Sequence, residues 1–348
     1  MKRIIKNLAG KVAKAFDNID DLFDSDDPLM IMPYRGYAND DRFFLKGRVL
    51  ENEGIFNKAG QSDLKNLIDS YKRFETDEVP FAKVRLSVHG QVYTSTTDDE
   101  GYFIFDEKWS SPIALTEHRW SSAKLELVDI KNEHDALITA KGEIYYPSKN
   151  ADYGVISDVD DTILQTHVTS LFRLKMLYAT MLQSGHERLP MEGIIDLYNK
   201  FVKGDNGLRE NPIFYVSSSP WNLYDLITQF IALQKLPKGP VILRDYGINP
   251  SGSFSGHKID SISHIIEMYP EMPFLMLGDT GGKDTDYYIE LANKFEGRIP
   301  IIYMRQTRDT KNARRIAELI EKNSNVNVVL VHTTQEMEDH ARANKIIV

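Results

Sequence analysis

Hydrophobic and polar positions follow two different rhythms in the two halves of the chain. Between residues 30 and 150, short segments alternate between apolar and polar residues and are separated by turn signals such as DDEG at 98–101. Regularly spaced alternating segments are typical of antiparallel strands, so residues 30–150 are predicted to form a β-sandwich. A helix is expected around SDLKNLIDSYKRF. The predicted strands are RFFLKGRVL, FAKVRLSVHGQVYTSTT, GYFIFDEKW, AKLELVDI and ALITAKGEIYY.

From residue 151 onward the apolar runs are continuous, and helical stretches lie between most of them. Continuous apolar strands are buried on both faces, which is typical of a parallel sheet covered by helices. Residues 151–348 are therefore predicted to form an α/β domain with a parallel sheet. The predicted strands are GVIS, IFYVS, PVILR, FLMLG, IPIIYM and VNVVLVH.

Residues 1–29 combine a basic amphipathic pattern with an acidic run. Apolar residues at helical spacing, with lysines between them, predict a short helix, and six aspartates follow it before residue 28. Such a helix can lie on an anionic membrane surface, or it can pack against its own protein or a second copy. Packing against protein is the commoner arrangement. The apolar positions are Ile4, Leu8, Val12 and Phe16.

The amino-acid composition limits the classes of partner and the cellular locations that fit this chain. The 348 residues carry a net charge of −9, which argues against nucleic acid as the main partner because phosphate backbones require a basic surface. The absence of cysteine excludes disulfides and thiolate metal sites, and it fits a cytoplasmic location. No uninterrupted apolar stretch is long enough for a transmembrane helix, and the first residues lack a secretory signal. We expect a cytoplasmic protein, with peripheral membrane contact if the basic helix binds lipid.

The segment GVISDVDDTIL at 154–164 places acidic residues directly after a buried strand. Asp158, Asp160 and Asp161 follow the β-branched pair Val155 and Ile156. Unpaired carboxylates at the end of a buried strand are costly, so solvent, a basic neighbour or a metal ion must compensate them.

Polar residues also follow other predicted strands of the α/β domain. SSSPW contains Ser217 and Ser218, GDTGGKD contains Asp279 and Asp284, and HKID places Lys258 near the start of a helix. The carboxyl ends of parallel strands meet at one edge of the sheet, where ligands bind. These residues are therefore expected to converge on one site.

The residue types at these positions suit phosphoryl transfer. Asp158 can attack phosphorus, and Asp160 can protonate the leaving oxygen and then deprotonate water. Mg²⁺ prefers oxygen ligands, which Asp158, Asp160 and Asp279 can supply, while Asp284 can hold Lys258 or a metal-bound water. Ser217 can donate to a phosphoryl oxygen, and amides at a helix start after SSSP can bind phosphate.

Three further residues are candidates for substrate binding. Thr162 and Ser218 lie beside the acidic and serine motifs, and Arg244 lies near the end of a later strand. Arg244 can bind a second anion, although an ion pair with Asp245 is at least as common an arrangement for such a residue.

The order of these motifs resembles the haloacid dehalogenase superfamily, with DVDDT, Ser217, Lys258 and GDTGGKD at its four motif positions. Asp160 points to the phosphatase branch. More narrowly, SDVDDTI, YVSSSPWNLY, HK and GDTGGKDTDYY are similar to the actin-patch-associated phosphatidate phosphatases of fungi and their bacterial relatives. The resemblance implies a Rossmann-like parallel sheet with a small helical cap at about 165–190.

The resemblance also implies a function. It implies Mg²⁺-dependent dephosphorylation of phosphatidate to diacylglycerol, with Asp158 as nucleophile, Asp160 as acid/base and Asp279 as metal ligand. Apolar residues in the cap segment SLFRLKMLYATML would then contact acyl chains, unless they pack as ordinary core or form a dimer face. The alternatives are a phosphatase of a small soluble phosphomonoester, a phosphotransferase, and a non-catalytic binding protein.

Overall fold

The structure is a computed structural model. It describes residues 29–51, 79–113, 119–131, 136–159, 193–244, 254–306 and 310–348. The predicted amphipathic helix, the helix expected around SDLKNLIDSYKRF and the predicted cap lie outside these described residues. Asp160 and Thr162 lie outside them as well.

The first part of the structure, here called the β unit, contains eight strands in one hydrogen-bonded sheet. All strand pairs in it are antiparallel except β2 with β8. The strands are β1 (Leu29–Pro33), β2 (Gly36–Ala38), β3 (Arg42–Glu51), β4 (Lys83–Val88), β5 (Gln91–Thr96), β6 (Tyr102–Lys108), β7 (Trp120–Lys131) and β8 (Leu137–Tyr145).

Local turn chemistry sets the register of these strands. His89 and Gly90 both have positive φ, at 49° and 73°, which suits the tight turn between β4 and β5. In the DDEG turn, the Asp98 side chain accepts hydrogen bonds from the amides of Glu100 and Tyr102. Strands β3, β6, β7 and β8 confirm predicted strands, and the predicted strand FAKVRLSVHGQVYTSTT is divided by the turn at His89 and Gly90 into β4 and β5. The prediction of two facing sheets stays a prediction.

The second part, here called the α/β unit, contains six parallel strands, and each confirms a predicted strand. The strands are β9 (Gly154–Ser157), β10 (Ile213–Pro220), β11 (Val241–Arg244), β12 (Phe274–Asp279), β13 (Ile301–Arg305) and β14 (Val328–Val331). The helices are α1 (Ile194–Lys203), α2 (Tyr224–Leu233), α3 (Phe254–Met268), α4 (Asp284–Lys294), α5 (Thr310–Lys322) and α6 (Thr334–Ala343).

The order of the parallel strands places a crevice at the centre of the sheet. The order is β11-β10-β9-β12-β13-β14, so the chain builds outward in one direction from β9 and then returns to continue on its other side with β12. The neighbouring strands β9 and β12 therefore flank a topological switch point. At such a point α/β proteins bind ligands outside the carboxyl ends of the strands. Ser157 ends β9 and Asp279 ends β12.

Aromatic residues of the β unit pack into the core of the α/β unit. Tyr34 and Tyr37 are buried in one hydrophobic cluster with Phe214 and Trp221. The Tyr37 hydroxyl lies 2.7 Å from His264 Nδ1. Because these rings remove apolar surface from water on both sides, the junction contributes to folding as a core does. Among the described residues, no helix combines the length and apolar composition needed to cross a bilayer.

Candidate active site

Hydrogen bonds on both sides fix the backbone at Asp158. Its amide donates to the Leu277 carbonyl of β12 at 2.9 Å. Its carbonyl accepts from the Ser157 hydroxyl at 2.7 Å, and that hydroxyl lies 2.6 Å from the hydroxyl of Tyr198 on α1. Since Ser157 has one proton, Tyr198 donates to Ser157. Asp158 is buried, so its carboxylate has little access to bulk solvent.

Lys258 in the first turns of α3 bridges two buried carboxylates. Its Nζ lies 2.7 Å from Asp158 Oδ1 and 2.6 Å from Asp284 Oδ1. Burial alone would lower the pKa of Lys258, but the charges of Asp158 and Asp284 outweigh it and hold the pKa well above its ordinary value. Lys258 is therefore a fixed cation, and its contact with Asp284 is one of the two contacts predicted for that carboxylate.

Asp158, Asp279 and Asp284 bring their carboxylate oxygens together. Each offers one oxygen that lies within 4.8 Å of those of the other two, and all three residues are buried. Their three negative charges and the one positive charge of Lys258 leave two negative charges. A divalent cation would balance them, and a set of carboxylate oxygens is the donor type that Mg²⁺ prefers. The residues present therefore fit a divalent metal ion.

The serines of SSSPW lie in an irregular part of β10. Val216 pairs with Ile242 and Pro220 with Arg244, so β10 has extra residues between these pairs and bulges at its carboxyl end. The amide of Ser219 donates to the Ser217 hydroxyl oxygen at 2.9 Å. Ser217 and Ser219 are buried, and Ser218 is half-buried.

The helix after SSSPW begins later than expected. Pro220 ends the strand, a single 3₁₀ turn follows at Trp221–Leu223, and α2 begins at Tyr224, with no side-chain cap at either start. The Ser219 amide donates to the Ser217 hydroxyl oxygen, so it already has an acceptor within the protein. The serines predicted to bind phosphate therefore lie in a bulge rather than at a capped helix start. We call residues 217–219 the phosphate cradle.

Arg244 lies beside the cradle and shares the electrostatic surroundings of the acidic cluster. It ends β11, is buried, and pairs in register with Pro220. Burial raises the pKa of Tyr287, the charge of Asp284 raises it further, and the charges of Lys258 and Arg244 oppose that rise. Arg244 and the pair of Asp284 and Lys258 therefore act electrostatically on the same side chain, that of Tyr287. Its predicted alternative partner, Asp245, lies outside the described residues.

Two residues outside the predicted catalytic, binding and metal set contact the strands that carry the site. Tyr288 is fully buried and donates its hydroxyl to the Leu277 carbonyl at 3.2 Å. Arg305 pairs in register with Asp279 and donates to the Thr334 hydroxyl at 2.8 Å. The pattern TDYY marked a helix but gave no sign that one tyrosine turns back to the strand. Only the strand-to-helix crossover creates that contact.

Trp221 and Tyr224, the aromatic residues that follow the cradle, lie at the junction with the β unit. The Trp221 ring stacks on Tyr34 with centroids 4.0 Å apart, and the Tyr224 hydroxyl accepts from the Arg35 amide at 2.7 Å. Both are buried, so their packing is that of core residues.

Comparison with known proteins identifies the family that the α/β unit resembles. Residues 153–306 match the family model described as the catalytic domain of phosphatidate phosphatase APP1. Phosphatidate phosphatase APP1 of Saccharomyces cerevisiae is 31% identical over 164 residues, which cover 44% of this chain and 25% of that protein. The predicted resemblance to this catalytic-domain family is confirmed.

Two further comparisons add less. An uncharacterized protein of Schizosaccharomyces pombe is 26% identical over 220 residues, covering 61% of this chain and 34% of that protein. The chain thus spans about a quarter to a third of the length of these two relatives. A carbohydrate acetylesterase structure from Xanthomonas citri aligns with 78% of this chain and 66% of its own, at 10% identity and a TM-score of 0.24, which is too low to support an argument.

Proposed function

We propose, from the match of residues 153–306 to the phosphatidate phosphatase APP1 catalytic-domain family, that this chain is a Mg²⁺-dependent phosphatase with a haloacid dehalogenase-like fold. The observation that carries the proposal is the buried group of Asp158, Asp279, Asp284 and Lys258 at the switch point of the sheet. Such a concentration of buried charge is costly for stability, and it is expected where charge does chemical work.

The residues divide the reaction into two steps. A carboxylate oxygen of Asp158 attacks phosphorus, an aspartyl phosphate forms, and the bond from phosphorus to the leaving oxygen breaks. Asp160, assigned from sequence, gives its proton to that oxygen and the alcohol leaves. A water molecule then attacks phosphorus, gives its proton to Asp160, and releases inorganic phosphate from Asp158.

The remaining residues hold charge and orientation. Lys258 holds the Asp158 side chain in place through its 2.7 Å contact, and Asp284 fixes the ammonium. Ser217, Ser218 and Thr162 are assigned to bind phosphoryl oxygens, and Arg244 to bind a further anionic group. Asp158, Asp160, Asp279 and Asp284 would hold Mg²⁺, which, when bound, neutralises charge that develops on the phosphoryl group.

Phosphatidate is the substrate that we propose, with diacylglycerol as the product. One support is that the yeast relative is a phosphatidate phosphatase by name. The other is the set of apolar residues in the predicted cap, which would contact acyl chains. A cytoplasmic location and peripheral contact of the N-terminal basic helix with anionic lipid belong to the same proposal. A substrate embedded in a membrane requires an enzyme that can reach the membrane surface.

Phosphate release by the full chain tests this function. Phosphatidate vesicles and a panel of sugar, nucleotide and other soluble phosphomonoesters are incubated with the protein in Mg²⁺ or in chelator. We expect equimolar phosphate and diacylglycerol from the vesicles in Mg²⁺ and neither product in chelator. Cleavage of soluble esters alone would overturn the lipid assignment, and no cleavage of any ester would overturn the phosphatase assignment.

Truncation tests the membrane contact separately. Removing residues 1–16 is expected to weaken sedimentation with phosphatidate vesicles while soluble phosphomonoester turnover, where present, stays unchanged. Equal sedimentation of the full and truncated chains would show that the basic helix packs against protein instead.

A further inference from the structure

The phosphate cradle is followed directly by an aromatic residue that the β unit holds. Trp221 comes two positions after Ser219 and is 6% exposed. On the side of the β unit, the Tyr34 ring stacks on it at 4.0 Å with an interplanar angle of 13°, and Lys46 Nζ lies 5.3 Å from its centroid. Both contacts cross the junction between the two units.

Tyr34 and Lys46, which contact Trp221 from the β unit, are themselves fixed within that unit. The Tyr34 amide donates to the Lys46 carbonyl at 2.9 Å, so the turn that carries Tyr34 is bonded to β3. Lys46 is 8% exposed, and its ammonium lies 4.3 Å from the ring centroid of Tyr102 as well. Stacked rings and a desolvated cation over aromatic faces are favourable arrangements with restricted geometry. Tyr34 and Lys46 therefore form a preformed support.

The support acts beside an irregular part of the sheet. β10 pairs with β9 only from Ile213 to Tyr215, and its register with β11 shifts between Val216 and Pro220. A bulge bends the strand and disrupts its ladder locally. The ladder fixes this bulge at Val216 and at Pro220, and the packing of Trp221 on Tyr34 adds a fixed point directly after Pro220.

We propose that Tyr34 and Lys46 are positioning residues that hold the phosphate cradle in place through Trp221. The β unit is then part of the active site, and the inference rests on the proposed phosphatase function. Small displacements of binding groups cost large factors in catalytic efficiency, about 100-fold for 1 Å. Because the cradle grips the phosphoryl group in the ground state as well as in the transition state, its displacement raises KM more than it lowers kcat.

Variants of Tyr34 in the full chain test the inference. Tyr34→Leu removes the ring and is expected to raise KM about 10-fold or more while kcat changes little. Tyr34→Phe keeps the stack and should restore KM to near the wild-type value. Lys46→Met keeps the length of the side chain, removes its charge, and should raise KM to a smaller extent.

Trp120→Leu is the matched control. Trp120 also lies at the junction, with Lys238 Nζ 4.3 Å above its ring, but its ring partner is Tyr145 of the β unit. The Trp120→Leu variant should lower the melting temperature without changing KM. An equal rise of KM in Trp120→Leu and Tyr34→Leu, or a wild-type KM in Tyr34→Leu, would overturn the inference.

Binding of inorganic phosphate separates this inference from the phosphatase assignment. Equilibrium dialysis with radiolabelled phosphate should show weaker binding to Tyr34→Leu than to wild type, Tyr34→Phe or Trp120→Leu. If the wild-type chain binds phosphate but cleaves no ester, the phosphatase assignment is contradicted. The phosphate affinities of the variants would then still test whether Tyr34 positions the cradle. Equal phosphate affinity of Tyr34→Leu and wild type would contradict the positioning role even if turnover is observed.

Discussion

The ammonium of Lys258 lies between Asp158 Oδ1 and Asp284 Oδ1, at 2.7 Å and 2.6 Å. All three side chains are nearly inaccessible to solvent, so neither carboxylate can replace this contact with bulk water. Breaking a buried ion pair by removing one partner leaves an uncompensated charge, which costs more than the pair contributes. Lys258 is therefore needed for stability as well as for orienting Asp158.

Replacement of Lys258 tests both roles. Lys258→Met is expected to reduce the free energy of unfolding by about 3 to 5 kcal/mol, because it leaves two buried carboxylates without their cation. It should also abolish most phosphate release. Chemical denaturation and a phosphate assay measure the two effects. Lys322→Met, at an exposed lysine, should change neither. Unchanged stability of Lys258→Met would contradict the buried ion-pair arrangement.

Replacement of Asp158 tests the nucleophile. Asp158→Asn keeps the shape of the side chain but not its attacking oxygen, so phosphate release should fall by about 1,000-fold or more, since covalent catalysis is lost. Asp286→Asn is the control, because Asp286 lies in the same region but pairs with Arg315 at the surface. It should retain activity. Full activity of Asp158→Asn would refute the assigned nucleophile.

The position of each strand end made part of this site predictable from sequence. Asp158, Lys258 and Asp279 were expected to converge, and the structure brings them together. The role of Asp284 stayed open between Lys258 and a metal-bound water, because spacing alone does not show which oxygen an ammonium reaches. The role of Tyr34 could not be predicted, since its contact with Trp221 depends on how the two sheets pack against each other.

At the level of elements, the contrast between β10 and β12 explains where prediction failed. β12 is a regular buried strand that ends at Asp279, as its apolar run indicated. β10 continues to Pro220 because its register shifts, so the helix start expected at Pro220 was wrong by one short turn. β1 and β2 were missed because LMIMP and GYA are too short to show alternation.

Replacement of Gly278 tests how closely β12 and α4 pack against each other. An added Cβ would lie 2.9 Å from the Tyr288 ring and 3.4 Å from Asp284 Cβ. Gly278→Ala should therefore displace the start of α4, lower the free energy of unfolding by about 1 to 3 kcal/mol, and reduce phosphate release. Denaturation and activity assays measure these effects.

Gly282 provides the matched control in the same GDTGG segment. A Cβ added there would meet no atom within 4 Å, and its φ is not in the left-handed region. Gly282→Ala should keep wild-type stability and activity. Equal losses in the two alanine variants would show that the close approach at Gly278 is not the cause.

On the scale of the whole molecule, one continuous core joins the two units. Tyr34, Tyr37, Tyr102 and Tyr145 of the β unit belong to the same buried cluster as the strands of the parallel sheet. Sequence rhythm predicted an alternating half and a continuous half, and both sheets were found. It could not show that the halves pack together, because interunit contacts join residues such as Arg35 and Tyr224, 189 positions apart.

Metal addition should therefore stabilise the molecule as a whole. If Mg²⁺ binds the folded acidic cluster, each tenfold increase in Mg²⁺ above its dissociation constant adds about 1.4 kcal/mol to the free energy of unfolding. Thermal unfolding in Mg²⁺ and in chelator measures the shift. Asp279→Asn should respond much less to Mg²⁺. A melting temperature that Mg²⁺ and Mn²⁺ leave unchanged would contradict a metal site in this cluster.

Trapping the covalent intermediate is a direct test of Asp158 as the nucleophile. The full chain is mixed with a phosphomonoester substrate carrying radiolabelled phosphate in Mg²⁺, quenched with acid within one turnover, and digested for peptide mapping. We expect an acid-stable, base-labile acyl phosphate on Asp158 that decays as phosphate is released. Phosphate release without any labelled protein, or a label on another residue, would contradict it.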